Sequence, residues 1–440
     1  MTRQGFLGLL LLMTGLVAGG CYPRELIRWS PDGEKALVVG KDALYTCDAD
    51  GDLSEAILEN VTAVAWLPDG EHFVAAVRHA DVAWDDIADR LPGECRSSIR
   101  TLGEELAPNL DQYRDDPERL QRKLRASCDR ADVELLMFLY MRKHHADALE
   151  KAWPQGDSGS VEVGASELGL YSLADGKRAR LLRRLDFSLA EHRAVEVAPG
   201  GEFVACVVNA RGVVVAPLDG SDSTTVLLDG LLPTLAWSSD GRAVFIVQQI
   251  DDDGIGRLRR VVVRDEEGRL ASPGRINGTV ALLAVHANMR LQSLGADLLV
   301  GAAELELPAP ASRKPRPRLY RILAGEHGVM DEQSGVEPIE LPETVGEVVT
   351  FAASPDFRRV MVVGDSAAVL VDLESGKTTT VSQERLGLHD GLTVVPAWRG
   401  NEEVWLVRED KLLRVAADGD LSMVDVDWPA EIMPPRKSME

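Results

Sequence analysis

Trp29-Ser30-Pro31-Asp32-Gly33 returns as Trp66-Leu67-Pro68-Asp69-Gly70 and again as Trp237-Ser238-Ser239-Asp240-Gly241. Weaker copies are Ala198-Pro199-Gly200-Gly201, Ser354-Pro355-Asp356-Phe357 and Trp398-Arg399-Gly400-Asn401. Each copy lies between two short apolar runs, so each reads as a tight turn joining two β-strands. Proline pre-sets φ at the second turn position, aspartate accepts from nearby backbone amides, and glycine takes the left-handed conformation that closes such a hairpin. The tryptophan before the turn offers a large apolar surface to a neighbouring sheet. Use of these tryptophans as stacking platforms is the less favoured reading.

A second signature follows each first one: an apolar strand that ends in an aspartate- or glycine-bearing turn. It appears in Leu44-Tyr45-Thr46-Cys47-Asp48-Ala49-Asp50-Gly51 and in Leu170-Tyr171-Ser172-Leu173-Ala174-Asp175-Gly176. Further copies end at Gly220, Gly268, Gly376 and Gly419, and Leu319 to Gly325 supplies one whose first turn has decayed to about Val285–Asn288. Paired signatures at this spacing describe a unit of strand, turn, strand, loop, strand, turn, strand. Trp29 and Trp66 are 37 residues apart, and Trp237 lies 40 beyond Val197 in the tryptophan slot of the third unit. Both spacings fit a repeat of about 40 residues.

The W-S-P-D-G turns, each followed by a hairpin of the L-Y-x-x-x-D-G kind, resemble the WD-repeat-like propeller units of TolB-type proteins over most of the chain after residue 24. That resemblance implies an all-β fold: a β-propeller of seven four-stranded blades, with six blades and a degenerate connector as the competing count. The units fall at about 25–60, 61–186, 190–230, 232–275, 279–342, 346–382 and 393–428. The third, fifth and sixth lack the tryptophan. Such a fold is specific for shape and poor for function, because radial blades carry binding proteins and enzymes alike.

The first 20 residues read as a signal peptide. Arg3 is a short positive start, Phe6 to Val17 is an apolar core too short to span a bilayer comfortably, and Ala18-Gly19-Gly20 precedes Cys21. A cysteine directly after small residues resembles the lipobox of bacterial lipoproteins, which implies cleavage before Cys21 and its lipidation. An ordinary secretion signal with an incidental cysteine is the alternative. Each buried acyl methylene contributes roughly 0.8 kcal/mol to anchoring. Tyr22, rather than an aspartate, directs the expectation to the outer membrane of a two-membrane cell, facing the periplasm. The propeller is expected over 21–428, with a flexible tail at 429–440.

The formal net charge of -23 opposes binding to nucleic acid and to anionic lipid surfaces. Basic clusters such as Arg183-Arg184 and Arg257-Leu258-Arg259-Arg260 are short and read as solvated edges.

Unit two carries the main irregularity, a helical insertion over 85–153. Asp116-Pro117-Glu118 is a helix start, with a cap, proline in the first turn and an acid near the positive end of the dipole. A second helix is expected from about Ala131 to Ala152, buried against partner helices and the propeller. The insertion occupies the connection between the second and third strands. So do the acidic loop Asp251-Asp252-Asp253 in unit four and the segment Leu307–Pro317 in unit five, which holds Arg313, Lys314 and Arg316. Those connections emerge on one face of a propeller, and long loops on a rigid scaffold commonly carry function. This face is the expected partner surface, with capping of the channel as the plainer alternative.

Besides Cys21, the chain has Cys47, Cys95, Cys128 and Cys206. Cys95 and Cys128 bracket the first part of the insertion and are expected to staple it, at about 3–4 kcal/mol through loop closure. Cys47 and Cys206 read as buried apolar residues. No catalytic constellation emerges: there is no H-E-x-x-H and no G-x-S-x-G elbow. His79 with Asp81 and Asp85 is a weak metal fragment, and Asp48-Ala49-Asp50-Gly51-Asp52 is a turn before it is a calcium loop. No cofactor or metal is expected. The sequence therefore points to a non-enzymatic, membrane-anchored scaffold that binds envelope proteins. The alternative is a small-ligand binder or enzyme using the central channel, which a cluster of titratable residues at the channel mouth would favour.

Overall fold

The computed structural model places seven four-stranded antiparallel sheets in a ring, with a helical insertion in the second. It describes residues 25–432, apart from 80–81, 129–132, 153–163, 189–193, 209–211, 250–254, 266–268, 272–275, 285–288, 304–316, 324–334, 382–394, 409–410 and positions 42, 115, 222, 229, 427, 430 and 431. Cys21, Asp251, Asp252, Asp253, Arg313, Lys314 and Arg316 lie outside the described residues.

Blade 1 is Ile27–Trp29, Ala36–Val39, Ala43–Cys47 and Leu58–Glu59. Blade 2 is Val61–Trp66, His72–His79, Gly164–Ser172 and Arg178–Ser188; blade 3 is Val195–Val197, Phe203–Val208, Gly212–Pro217 and Thr224–Leu227. Blade 4 is Leu231–Trp237, Ala243–Gln249, Ile255–Val262 and Ile276–Ala284, and blade 5 is Leu291–Leu294, Asp297–Ala303, Pro317–Ile322 and Val336–Pro338. Blade 6 is Val348–Ala353, Arg359–Gly364, Ala368–Asp372 and Thr378–Val381, and blade 7 is Ala397–Arg399, Glu403–Arg408, Lys411–Ala416 and Leu421–Asp425. A single bridge, Ala284 to Ala303, links the sheets of blades 4 and 5.

Two expected boundaries move. Ile276–Ala284 is the outer strand of blade 4, so that blade does not end at 275. The first turn of blade 5 is Leu294-Gly295-Ala296-Asp297, not 285–288, which is outside the described residues. It is a two-residue hairpin whose Gly295 has φ +60, and it carries neither the tryptophan nor the proline that marks the other turns. That is why the repeat had faded from view there.

The regular turns form as their residues dictate. The Ser30 hydroxyl donates to Asp32 at 2.5 Å, the Glu34 amide donates to the same carboxylate at 3.0 Å, and Gly33 turns with φ +73. Ser238 with Asp240 and Ser354 with Asp356 repeat the hydroxyl contact at 2.6 Å. In blade 6 the glycine slot is filled by Phe357, at φ +60.

Packing explains the composition of the strands. The second strand of a blade has a neighbouring blade on each face, so Ala36–Val39 and Phe203–Val208 are buried throughout and read as unbroken apolar runs. Fourth strands are more open, as Thr378–Val381 shows. Among the described residues, seven apolar clusters each fill one interface between adjacent blades, from Leu37, Val64 and Phe73 between blades 1 and 2 around to Leu26, Trp29 and Trp405 between blades 7 and 1.

The turn tryptophans do more than fill space. Trp66 Nε1 donates to the Arg28 carbonyl at 2.8 Å, Trp237 Nε1 to that of Glu196 at 2.9 Å, and Trp398 Nε1 to that of Ala352 at 2.8 Å. Each bond runs from the inner strand of one blade to the inner strand of the blade before it. Where blade 5 lacks the tryptophan, Ser293 donates its hydroxyl to the Trp237 carbonyl, the Leu291 amide donates to Thr234 Oγ1 at 2.8 Å, and the Ala353 amide of blade 6 donates to Gln292 Oε1 at 2.9 Å. Trp29, at the seam between first and last blades, has a buried Nε1 with no hydrogen-bond partner among the described residues; it packs edge-on to Trp405 with centroids 4.6 Å apart. Past the last strand, Trp428 donates to the Gly51 carbonyl at 2.9 Å and Ile432 is buried in the same seam, so packed chain extends into the stretch expected to be a loose tail.

The insertion comprises α1 (Trp84–Ile87), α2 (Gly93–Leu106), α3 (Pro117–Ser127), α4 (Val133–His144) and α5 (Ala146–Ala152). Asp116 caps α3, accepting from the Arg119 amide at 3.0 Å. The single helix expected over 131–152 is two, α4 and α5, separated at His145. Residues Val133 to Met141 of α4 are all buried, and the 22 buried residues of their cluster, Val82 to Ala152, all belong to the insertion. Among the described residues the blades add no side chain to that core, while α4 also comes against the outer strand Arg178–Ser188 of blade 2, as expected. Gly103 lets α2 approach α4 closely, since a Cβ there would sit 2.4 Å from the Tyr140 ring.

The indole staples yield a graded prediction. Trp66→Phe and Trp398→Phe keep most of the apolar area but strand a carbonyl, and should each cost about 1–3 kcal/mol more than the lost packing. Trp29→Phe, which removes no hydrogen bond, should cost only the packing. Equal urea midpoints for all three variants would refute the staple.

Candidate functional site

The inner strands enclose a channel cavity of about 400 Å³. One residue in each blade but the fifth, directly before the tryptophan slot, lies in a layer around it. Ala65, Ala236, Ala352 and Ala397 are small, whereas Arg28 and Glu196 carry charge into the lumen. With Ala65 on blade 2 between them, Arg28 of blade 1 reaches Glu196 of blade 3: Nη2 lies 2.7 Å from Oε1, and Nη1 donates to the Val195 carbonyl at 3.1 Å. Arg28 also pairs with Glu25, whose other oxygen is 3.3 Å from Arg290 Nη2 of the blade 5 entry. Glu25 and Arg290 precede their inner strands, which places them toward the mouth where the blade-to-blade links and the insertion emerge. The four charges tie blades 1, 3 and 5 together across the lumen.

The backbone of this group is fixed by the staples already described, because the carbonyls of Arg28 and Glu196 are the acceptors of Trp66 and Trp237. Electrostatics separates the two acids. Burial works against ionisation of Glu25, but the guanidiniums of Arg28 and Arg290 outweigh it and hold the carboxyl below its ordinary value. Burial dominates at Glu196 and the nearby Glu25 charge adds to it, so that carboxyl is raised despite Arg28. Burial disfavours the charged form of Arg28, but its two carboxylate partners overcome that and strengthen its protonation.

Other expected sites disperse. His79 lies 3.4 Å from Glu167, Asp85 pairs with Lys143 at 2.6 Å, and Asp81 is outside the described residues. Asp48 Oδ1 accepts three backbone amides, of Asp50, Gly51 and Asp52, at 2.9–3.1 Å, so it is a turn carboxylate. Among the described residues no group of three or more His, Cys, Asp or Glu is placed to hold a metal, and no helix is long and apolar enough to cross a membrane. Cys47 and Cys206 are buried in different inter-blade clusters, and burial pushes the Cys47 thiol up to about 12. Cys95 and Cys128, by contrast, are brought to an Sγ–Sγ distance of 3.4 Å.

The strands Ala63–Trp66 and Thr234–Trp237 carry mostly small and apolar residues, so the charged strut does not show in them. The signal was present in the slot before each tryptophan: alanine in four units, arginine in the first and glutamate in the third.

Neither a protein-family model nor a curated protein matches the sequence. Solved structures do. Hydrazine synthase of Kuenenia stuttgartiensis aligns with TM-score 0.50 and 10% identity, over 92% of this chain and 96% of that one. A β-propeller domain of Myceliophteria thermophila aligns at TM-score 0.46 and 10% identity, over 92% and 98%. TolB of Acinetobacter baumannii aligns at TM-score 0.38 and 12% identity, over 67% and 69%. At such identity the first likeness speaks to the propeller fold alone, and the other two carry no argument.

The opposed acids set a pH test. Glu196 has a raised native pKa, so acidification should favour the native state, beginning as the pH falls through that raised value and complete below the ordinary 4.5. Glu25 acts in the other sense and loses its contribution as the pH falls below 4.5. Relative to Glu196→Gln, the wild type should therefore gain stability between pH 7 and 4.5, read from urea midpoints. A gap that stays constant, or that moves toward the variant, would contradict the assignment.

Proposed function

We propose that this protein is a non-catalytic interaction scaffold of the cell envelope, anchored through lipidated Cys21 to the outer membrane facing the periplasm, that docks a protein partner on its helical insertion. The observation that carries the proposal is the insertion's own core: 22 buried residues that, among the described residues, all come from the insertion. Such a module is not needed to close the ring, and it rises from the second-to-third strand connection of blade 2, where a rigid scaffold presents its loops.

The test is affinity capture from detergent-solubilised envelopes with the full protein and with a form in which a short linker replaces 82–152. A partner should be held by the full protein and lost from the deleted form, with the propeller intact by circular dichroism. Equal capture by both forms would remove the insertion from the interface.

A second reading rests on the 400 Å³ cavity and its four charges, which together suit a small polar ligand. Thermal-shift screening of small carboxylates and amines against wild type and Arg290→Met distinguishes it: a hit abolished by the substitution would favour the channel over the insertion.

A further inference from the structure

We infer that Cys95 and Cys128 form a reversible dithiol–disulfide pair that covalently closes the helical insertion. Cys95 stands in the first turn of α2 and Cys128 is the C-cap residue of α3. Their sulfurs are 3.4 Å apart, and about 1.4 Å of further approach makes a bond of about 2.05 Å. A second contact between the same two helices, Lys123 Nζ 2.5 Å from Glu105 Oε1, runs in the opposite order along the chain, so α2 and α3 are antiparallel and the start of α2 lies near the end of α3. Leu102, Leu106, Leu120 and Leu124 share the buried core between them.

The two thiols differ in access, and this orders the chemistry. Cys95 is partly exposed and Cys128 is buried. A small disulfide such as oxidised glutathione meets Cys95 first. The Cys95 thiolate attacks one of its sulfurs, expels one glutathione thiol and leaves a mixed disulfide. Cys128, as thiolate, then attacks the Cys95 sulfur and expels the second. Two protein thiols are oxidised to one disulfide, the external disulfide is reduced to two thiols, and the two protons pass to the departing thiolates. Cys47 and Cys206, buried in separate blade interfaces, have no part in it and serve as internal controls.

The bond would enclose 95–128 and leave the propeller untouched, so its effect should be local. The full-length protein is equilibrated with glutathione mixtures from fully reduced to fully oxidised, quenched by alkylation in denaturant, and read by intact mass and peptide mapping. Oxidation should remove two alkylation sites and two mass units, with a crosslinked peptide joining Cys95 to Cys128. Thermolysin cleavage within 90–130 should slow by more than about tenfold. Cys128→Ser should trap one glutathione on Cys95, whereas Cys206→Ser should behave as wild type. If the wild type instead carries two separate glutathione adducts, or gives the crosslink only after unfolding, the pair is not a native disulfide. Wild-type mass and mapping decide the matter even if a variant misfolds.

Discussion

Seven wedge-shaped sheets make a ring only if the last is fastened to the first, and in this protein the fastening is done by side chains. Blade 1 is built wholly from the N-terminal strands and blade 7 wholly from the C-terminal ones, so no strand is shared across the seam. The seam is held by Trp29 packed on Trp405, by Arg399 Nε donating to the Gly33 carbonyl at 3.0 Å, and by a final segment that brings Trp428 and Ile432 back onto blade 1. Large aromatic surfaces suit this task, because a non-sheet junction must gain by burial what it lacks in ladder hydrogen bonds. The unpartnered indole of Trp29 is consistent with that division: elsewhere the tryptophan both packs and donates, and at the seam it only packs.

From this closure follows the geometry of the channel. Once the inner strands are locked at fixed spacing by indole-to-carbonyl bonds, residues one position before the tryptophan slot converge on the axis. Alanine there keeps the lumen open. Arginine at 28 and glutamate at 196 can then reach past a blade to one another, which no local pattern foretells. A buried pair of this kind adds little net stability, because desolvation offsets its attraction, but it penalises any arrangement that separates its members, so it is suited to holding three non-adjacent blades in register. The helical insertion stands apart from this economy, with its own apolar core and its own pair of close thiols.

Much of the architecture is legible in local chemistry. A Ser-Pro-Asp-Gly turn is made by contacts within five residues, so its recurrence identified the strands and their order wherever the motif survived. The helix start at Asp116-Pro117 was equally local, and its cap forms as its residues require. Legibility failed where the turn lost its markers. The hairpin at Gly295 needs only one left-handed residue, and the outer strand Ile276–Ala284 has register shifts against its neighbour that blur its alternation. The division of one long helical stretch into α4 and α5 was hidden as well, because the break at His145 has neither proline nor glycine.

By itself the sequence determined the repeat, the turn geometry, the all-β class and the place of the helical insertion, because each depends on residues adjacent along the chain. Only the tertiary structure decided which of those residues meet. It set Arg28 against Glu196 across 168 positions, Glu25 against Arg290 across 265, Trp428 against Gly51 across 377, and Cys95 beside Cys128. The physical reason is that turn chemistry is short-ranged, whereas these pairings exist only after burial between blades and between helices has brought distant segments together.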